Sequence, residues 1–135
     1  MSELDSLATV LDGTEAAVFA YGLVAGRLTG AEAQRAVSLM AVHRSERDRL
    51  RSRIEALGGT PGAAAAAYQQ PFPVVDAASA RRLAALVEDR LAGQWAGLAA
   101  ASTRQARASA ALRAQESLVR SVTWSGIAPV WAGAG

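Results

Sequence analysis

The chain of 135 residues contains no cysteine and no lysine. The absence of cysteine excludes disulfide bonds, a catalytic thiolate and cysteine-ligated metal sites. The 14 basic residues other than histidine are therefore all arginines, and the 12 acidic residues leave a net charge of only +2. That excess is too small to indicate a nucleic-acid partner, because phosphate binding requires a concentrated basic surface.

Long hydrophobic runs are also scarce. The most hydrophobic stretch, Ala16–Ala25, is about half as long as the roughly 20 residues that a helix needs to cross a bilayer. The acidic N-terminus, Met-Ser-Glu-Leu-Asp, lacks the basic and apolar regions of a signal peptide. We therefore expect a cytoplasmic protein with no membrane partner.

Aromatic residues are few, with three Trp, two Tyr and two Phe, whereas alanine is abundant. Alanine is the best helix former, and glycine and proline cluster at a few places only. The length suits one domain with one core. We predict an all-α protein with a helical bundle over residues 1–126 and a C-terminal tail over residues 127–135.

The first two helices are predicted from the apolar period and from local start signals. Helix 1 runs over about residues 3–28, after an N-cap at Ser2. Helix 2 begins with a capping box formed by Thr29 and Glu32, and it ends near Leu57. The turn between them is short, so the two helices are antiparallel neighbours.

The connection over residues 58–75 is long, and such a segment can travel the full length of a helix. We therefore predict that helices 2 and 3 are parallel and are joined by a crossover that covers the core with Tyr68 and Phe72. Helix 3 begins after the N-cap Asp76. A break near Ser102–Thr103 separates it from helix 4, which ends near Gly126.

Each helix has a predicted inward face. For helix 1 the face is Leu4, Leu7, Leu11, Glu15, Val18, Gly22 and Ala25. For helix 2 it is Ala36, Met40, His43, Arg47, Leu50, Ile54 and Leu57. For helix 3 it is Leu83, Val87, Leu91, Trp95 and Leu98, with Glu88 at the edge. For helix 4 it is Ala108, Leu112, Val119 and Val122, with Gln115 central and Glu116 at the edge.

Polar residues on these inward faces must be paired, because an isolated buried charge is costly. Glu15 of helix 1 lies on an otherwise apolar face, and His43 and Arg47 lie one turn apart on helix 2. We predict that Glu15, His43 and Arg47 form one buried, ion-paired layer. An alternative is a small-molecule cavity lined by the same residues.

The chain resembles the ferritin-like bundles, and in particular an actinobacterial ferritin-like family of unknown function with alanine-rich helices. The similar stretches are Thr14–Gly22, His43-Arg44, Tyr68 followed by Pro71-Phe72-Pro73-Val74, Ser79-Ala80, Trp95 and Trp124. The resemblance covers nearly the whole chain and implies a four-helix bundle with a long crossover between helices 2 and 3.

The resemblance also implies where metal ligands would lie. Catalytic members of the superfamily hold two metal ions with a Glu from two helices and a Glu-x-x-His from the other two. The corresponding residues here are Glu15, His43, Glu88 and Glu116. Met40 stands at one glutamate position and Val119 at one histidine position, so the set is incomplete.

The expected function is a non-catalytic binding or scaffolding module with a degenerate metal site, no catalytic residue and no cofactor. The alternative is a mononuclear or degenerate di-metal oxidase or metal-binding protein that uses iron, manganese or zinc. Glu15, His43 and Glu88 would bind a single metal, with Glu116 as a further ligand. The expected partner is a second copy, bound through helix faces or through aromatic residues such as Phe72 of the crossover and Trp131 of the tail.

Overall fold

A computed structural model describes residues 1–126 of the chain. Within them lie four α-helices and no β-strand, so the all-α prediction is confirmed. The helices are α1 (Glu3–Ala25), α2 (Gly30–Ala56), α3 (Ala77–Ala100) and α4 (Arg104–Ser125). The predicted tail over residues 127–135, with Trp131, lies outside the described residues.

The directions of the helices follow from which ends meet. The start of α1 packs with the ends of α2 and α3 in one apolar cluster, which includes Leu7, Leu50 and Trp95. The end of α1 packs with the starts of α2 and α3 in a second cluster. Helices α2 and α3 are therefore parallel and both antiparallel to α1. The connection between them runs the length of the bundle, as the crossover prediction requires.

Local capping chemistry explains most helix boundaries. Ser2 and Asp5 form a capping box at α1, and Asp76 and Ser79 form another at α3, each with reciprocal side-chain to backbone bonds. The predicted capping box of α2 was wrong, because Thr29 makes no side-chain cap bond. Glu32, which lies in the first turn of α2, instead accepts two hydrogen bonds from Arg81 of α3, at 2.7 and 2.8 Å.

Two helices present a different face to the core from the one that we predicted. In α1 the predicted Leu7, Leu11 and Glu15 are buried, but so are Val10, Thr14, Ala17, Tyr21 and Val24. The centre of the buried face is therefore rotated by about one residue, or up to about 100°, from the predicted stripe. In α4 the buried positions are Ala110, Ser117 and Trp124. The stripe that we assigned to the core of α4 lies largely outside, with Ala108, Leu112, Gln115 and Val119 exposed.

The bundle is open along one seam. No Cα atom of α2 lies within 8 Å of a Cα atom of α4, whereas the pairs α1–α2, α1–α3 and α3–α4 pack directly. Long side chains bridge the gap between α2 and α4. Arg113 Nε donates to Glu46 Oε1 at 2.8 Å, and the Arg35 guanidinium lies 4.5 Å above the Trp124 ring.

Helix α1 has the length and hydropathy of a membrane-crossing segment, by these two properties only. Half of the most apolar 18-residue stretch of α1 is buried inside the bundle. Core helices of water-soluble proteins have the same length and hydropathy. The packing of α1 against α2 and α3 accounts for its apolar composition.

Candidate functional site

One buried carboxylate lies at the centre of the bundle, between the two apolar clusters. Glu88 of α3 is fully buried, and its Oε2 atom accepts a hydrogen bond from the Tyr21 hydroxyl at 2.6 Å. His43 Nε2 lies 2.8 Å from the same oxygen. Trp124 Nε1 donates to the Tyr21 hydroxyl at 3.0 Å. One residue from each helix therefore contributes to a single hydrogen-bonded group, which we call the central cluster.

The protonation of Tyr21 is fixed by its surroundings. Burial raises the pKa of the Tyr21 phenol, and the adjacent Glu88 carboxylate raises that pKa further. The phenol therefore stays protonated and acts as the donor to Glu88. The Tyr21 ring also stacks on the His43 ring, with the centroids 5.5 Å apart.

The second carboxylate oxygen, Glu88 Oε1, is buried and has no hydrogen-bond partner among the described residues. Its nearest cation is Arg120, whose Nη1 atom lies 3.9 Å away. Arg120 also approaches Glu116 at 3.5 Å, and Glu116 lies 3.2 Å from Arg113. Alternating charges thus lead from the buried Glu88 to the open seam between α2 and α4.

The predicted layer of Glu15, His43 and Arg47 is not formed. Glu15 is buried, as predicted, but its partner is Arg51 at 2.8 Å, and the same Arg51 atom donates to the Gly62 carbonyl of the crossover. Arg47 instead pairs with its exposed neighbour Asp48 at 3.1 Å. The reason is the rotation of α1, which moves Glu15 from the core to the border with α2 and the crossover.

His43 is buried as predicted, but its partner is the Glu88 carboxylate that the sequence placed at an edge. The pattern of α3 did not show this, because Leu83, Val87 and Leu91 outline a face without it. Tyr21 and Trp124 were also missed as members of the cluster. Both lie in stretches that carry the family resemblance, and that resemblance was the available signal.

The residues present do not fit a two-metal centre. Within residues 1–126, no three His, Cys, Asp or Glu side chains are placed together to hold a metal ion. Of the alternative ligands, only His43 and Glu88 meet, since Glu15 pairs with Arg51 and Glu116 lies on the flank of α4 with arginines. The Glu88 oxygen that faces His43 is already engaged by Tyr21.

A cleft of about 260 Å³ opens where α2 and α4 diverge. Its floor is apolar and its rim carries arginines and glutamates. The residues that line it are Glu3, Leu7, Glu46, Arg49, Leu50, Arg53, Trp95, Leu98, Ser102, Ala106, Ser109, Ala110 and Arg113. Glu15, His43 and Arg47 are not among them, so this cleft differs from the cavity that the sequence suggested.

The sequence and the fold both have recognisable relatives. Residues 6–132 match the family described as a domain of unknown function, DUF4439. A conserved hypothetical protein of Mycobacterium tuberculosis, rv2844, is 30% identical, with a TM-score of 0.88 over 92% of this chain and 95% of that one. No curated protein matches the sequence.

A more distant structure shows the wider fold. It is described as a ferritin-like, diiron-carboxylate protein from Bacillus anthracis str. Ames. It is 15% identical, with a TM-score of 0.68 over 92% of this chain and 90% of that one. The predicted ferritin-like four-helix fold is thereby confirmed, and at this identity the likeness concerns the fold alone.

Proposed function

The chain belongs to the DUF4439 family, and we propose that it is a non-catalytic binding module whose ferritin-like bundle works without a metal ion. The observation that carries this proposal is the engagement of Glu88. Its Oε2 atom lies within hydrogen-bond distance of both Tyr21 and His43, at 2.6 and 2.8 Å. The central cluster thus fills the middle of the bundle with protein side chains and joins all four helices.

Metal analysis tests the absence of a resident ion. Protein purified without chelator should contain no stoichiometric iron, manganese or zinc. Adding each ion separately should leave the melting temperature unchanged, because a ligand that binds only the folded state would raise it. Stoichiometric metal that is lost in His43→Gln would contradict the proposal and favour the alternative, a metal-binding protein or oxidase.

The cleft between α2 and α4 is the binding site that we propose for this module. Leu7, Leu50 and Trp95 contribute to its apolar floor. At the rim, the Arg49 side chain is 67% exposed and contacts Glu46 only at 3.5 Å, so most of its donors face solvent. A site of this kind suits a small apolar molecule that carries one acidic group, since an arginine fork recognises carboxylates and sulfonates well.

A fluorescent pair of probes tests the cleft. One is 8-anilino-1-naphthalenesulfonate, which carries an apolar body and one anionic group, and the other is its neutral analogue N-phenyl-1-naphthylamine. We expect the anionic probe to bind more tightly than the neutral one. Arg49→Ala should reduce that difference, because it removes the exposed guanidinium at the rim.

A matched pair of tryptophan variants locates the binding. Ser109 lies on the exposed rim of the cleft, and Ser45 is an exposed serine of α2 outside it. Ser109→Trp should fill the cleft and abolish probe binding, whereas Ser45→Trp should leave it unchanged. Equal binding by both variants and the wild-type chain would refute the assignment of this cleft.

A further inference from the structure

Glu46 of α2 is a buried carboxylate in the wall of the proposed cleft. Its side chain is 10% exposed, and it lines the cleft together with Glu3 and three arginines. Glu46 Oε1 lies 2.8 Å from Arg113 Nε of α4 and 3.5 Å from Arg49 Nη1 of its own helix. A single carboxylate oxygen therefore contacts arginines on both walls of the cleft.

The other charged groups around the cleft already have partners that do not depend on Glu46. Arg53 pairs with Glu3 at 3.0 Å. Arg113 Nη1 donates to Glu116 Oε1 at 3.2 Å, so the Arg113 guanidinium is held in place from a second side. Of the two carboxylates that line the cleft within residues 1–126, only Glu46 contacts arginines of both α2 and α4. Its departure would leave two arginines facing one another across the cleft.

We propose that the acidic group of the ligand binds where the Glu46 carboxylate lies, between Arg113 and Arg49, and displaces it. This inference rests on the proposed function of the cleft. A carboxylate or sulfonate offers these arginines the same charge and the same acceptor oxygens as the glutamate side chain. Glu46 is thus an internal ligand that connects the two walls while the cleft is empty. The external acid takes over both arginines, so the exchange leaves neither of them unpaired.

An internal competitor lowers the apparent affinity for the external acid. Because Glu46 is tethered beside Arg113, its effective concentration there is high, on the order of millimolar or more. The apparent dissociation constant equals the intrinsic constant divided by the fraction of molecules in which the arginines are free. With a free fraction of about one tenth, removal of the competitor tightens acid binding about tenfold. A neutral ligand gains nothing, because it has no acidic group to place between the arginines.

Glu46→Gln tests the displacement, because it keeps the size of the side chain and removes its charge. In fluorescence titrations at about 0.15 M salt, which screens distant charges, the variant should bind 8-anilino-1-naphthalenesulfonate about tenfold more tightly than the wild-type chain. Its affinity for neutral N-phenyl-1-naphthylamine should not change. Glu55→Gln is the matched control, since Glu55 is an exposed residue of α2 outside the cleft, and both affinities should stay at their wild-type values. Equal gains for both probes in Glu46→Gln would indicate a loosened contact between α2 and α4 and would overturn the inference.

Two double variants complete the test. Arg113→Gln added to Glu46→Gln should remove the tenfold gain, and retention of the full gain would overturn the role of Arg113. Ser109→Trp added to Glu46→Gln separates this inference from the cleft itself, and it should abolish binding of the anionic probe. If Glu46→Gln binds no more tightly than the wild-type chain while Ser109→Trp still abolishes binding, the cleft stands and the displacement is wrong. If Ser109→Trp leaves the binding by Glu46→Gln intact, both are wrong.

Discussion

Replacing Tyr21 with phenylalanine tests the central cluster with a loss of one oxygen atom. The substitution removes the 2.6 Å hydrogen bond to the Glu88 carboxylate and leaves Trp124 Nε1 without its acceptor. A hydrogen bond to a charged group contributes about 1.5–3 kcal/mol, and a stranded buried donor costs about 1–3 kcal/mol. Because the two losses overlap, we expect Tyr21→Phe to lower the free energy of unfolding by about 2–4 kcal/mol.

Urea denaturation followed by far-ultraviolet circular dichroism measures this loss, and the chain supplies its own control. Tyr68 lies on the crossover, where its hydroxyl accepts a 3.2 Å hydrogen bond from the exposed Ala65 amide. Tyr68→Phe should change the free energy of unfolding by less than about 0.5 kcal/mol. If Tyr21→Phe costs no more than Tyr68→Phe, the hydrogen-bonded cluster does not exist in solution.

The same tyrosine makes stability depend on alkaline pH. Burial raises the pKa of the Tyr21 phenol, with the Glu88 charge adding to the effect, whereas in the unfolded chain the phenol titrates near its usual value of about 10. The stabilisation is therefore complete below about pH 10 and is lost as the pH rises above it, by about 1.4 kcal/mol per pH unit for one proton.

The composition of the chain makes this titration visible. With no lysine and no cysteine, tyrosine is the only type of side chain present whose usual pKa lies between 9 and 12. Free energies of unfolding measured from pH 8 to 11 should fall less steeply in Tyr21→Phe than in the wild-type chain above pH 10. Parallel curves for the two proteins would show that Tyr21 does not carry the effect.

Two further substitutions, each with a control substitution, test the ion pair of α1 and the cap of α3 by denaturation. Glu15→Gln should lower the free energy of unfolding by about 1–2 kcal/mol, because it leaves the partly exposed Arg51 without its buried partner. The control Arg47→Ala should lower it by less than about 0.5 kcal/mol. Equal effects of the two substitutions would contradict the observed pairing. Asp76→Ala should lower the melting temperature at neutral pH by removing a formed N-cap, and Thr103→Ala should not, since Thr103 makes no side-chain cap bond. Hydrogen bonds from Ser79 lower the pKa of Asp76, so the difference in stability between the wild-type chain and Asp76→Ala should shrink as the pH falls below about 4. A difference that does not change with pH would refute a role for the charged Asp76 carboxylate in the cap.

Local chemistry was sufficient to predict most helix boundaries, although α1 ends at Ala25 and not near Leu28. The Asp76 cap and the break at Ser102–Thr103 depend on neighbours within a few residues, so the sequence contains the information. The capping box of Thr29 and Glu32 fits the same local rule but is not formed. Glu32 has Arg81 of α3 as an alternative partner, and a local pattern cannot show a partner that lies 49 residues away.

The rotation of the helices could not be predicted in the same way. Helix α1 is apolar over most of its surface, so two stripes one residue apart fit its sequence about equally well, and the choice made Glu15 central. Helix α4 carries a well-formed apolar stripe that includes Leu112 and Val119, yet both are exposed. Periodicity shows that a face is apolar, but it does not show whether that face packs inside the bundle or against another molecule.

His43 and Glu88 were placed together only in the alternative metal site, and the other two partners in the central cluster, Tyr21 and Trp124, were missed for a related reason. Tyr21 and Glu88 are 67 residues apart, and Tyr21 and Trp124 are 103 apart, so their meeting depends on the rotation of several helices together. An error of one residue in α1 moves its side chains by about 100°. That single error is sufficient to place Glu15 and not Tyr21 at the predicted centre of the bundle, and it accounts for the incorrect prediction that Glu15 pairs with Arg47.

The burial of the Glu88 carboxylate among hydrogen-bonding side chains has a further testable consequence. Stranding one member of a buried polar group is costly, but replacing all of its members by apolar residues is often neutral or stabilising. The costs of Tyr21→Phe, His43→Leu and Glu88→Met should therefore add up to more than the cost of the triple variant, by about 2 kcal/mol or more. If the costs are additive, each side chain stabilises the bundle independently. If the costs are not additive, the cluster acts as a unit that selects one rotation of each helix. The triple variant should then lose that selection, and its amide resonances should be broadened despite near-normal stability.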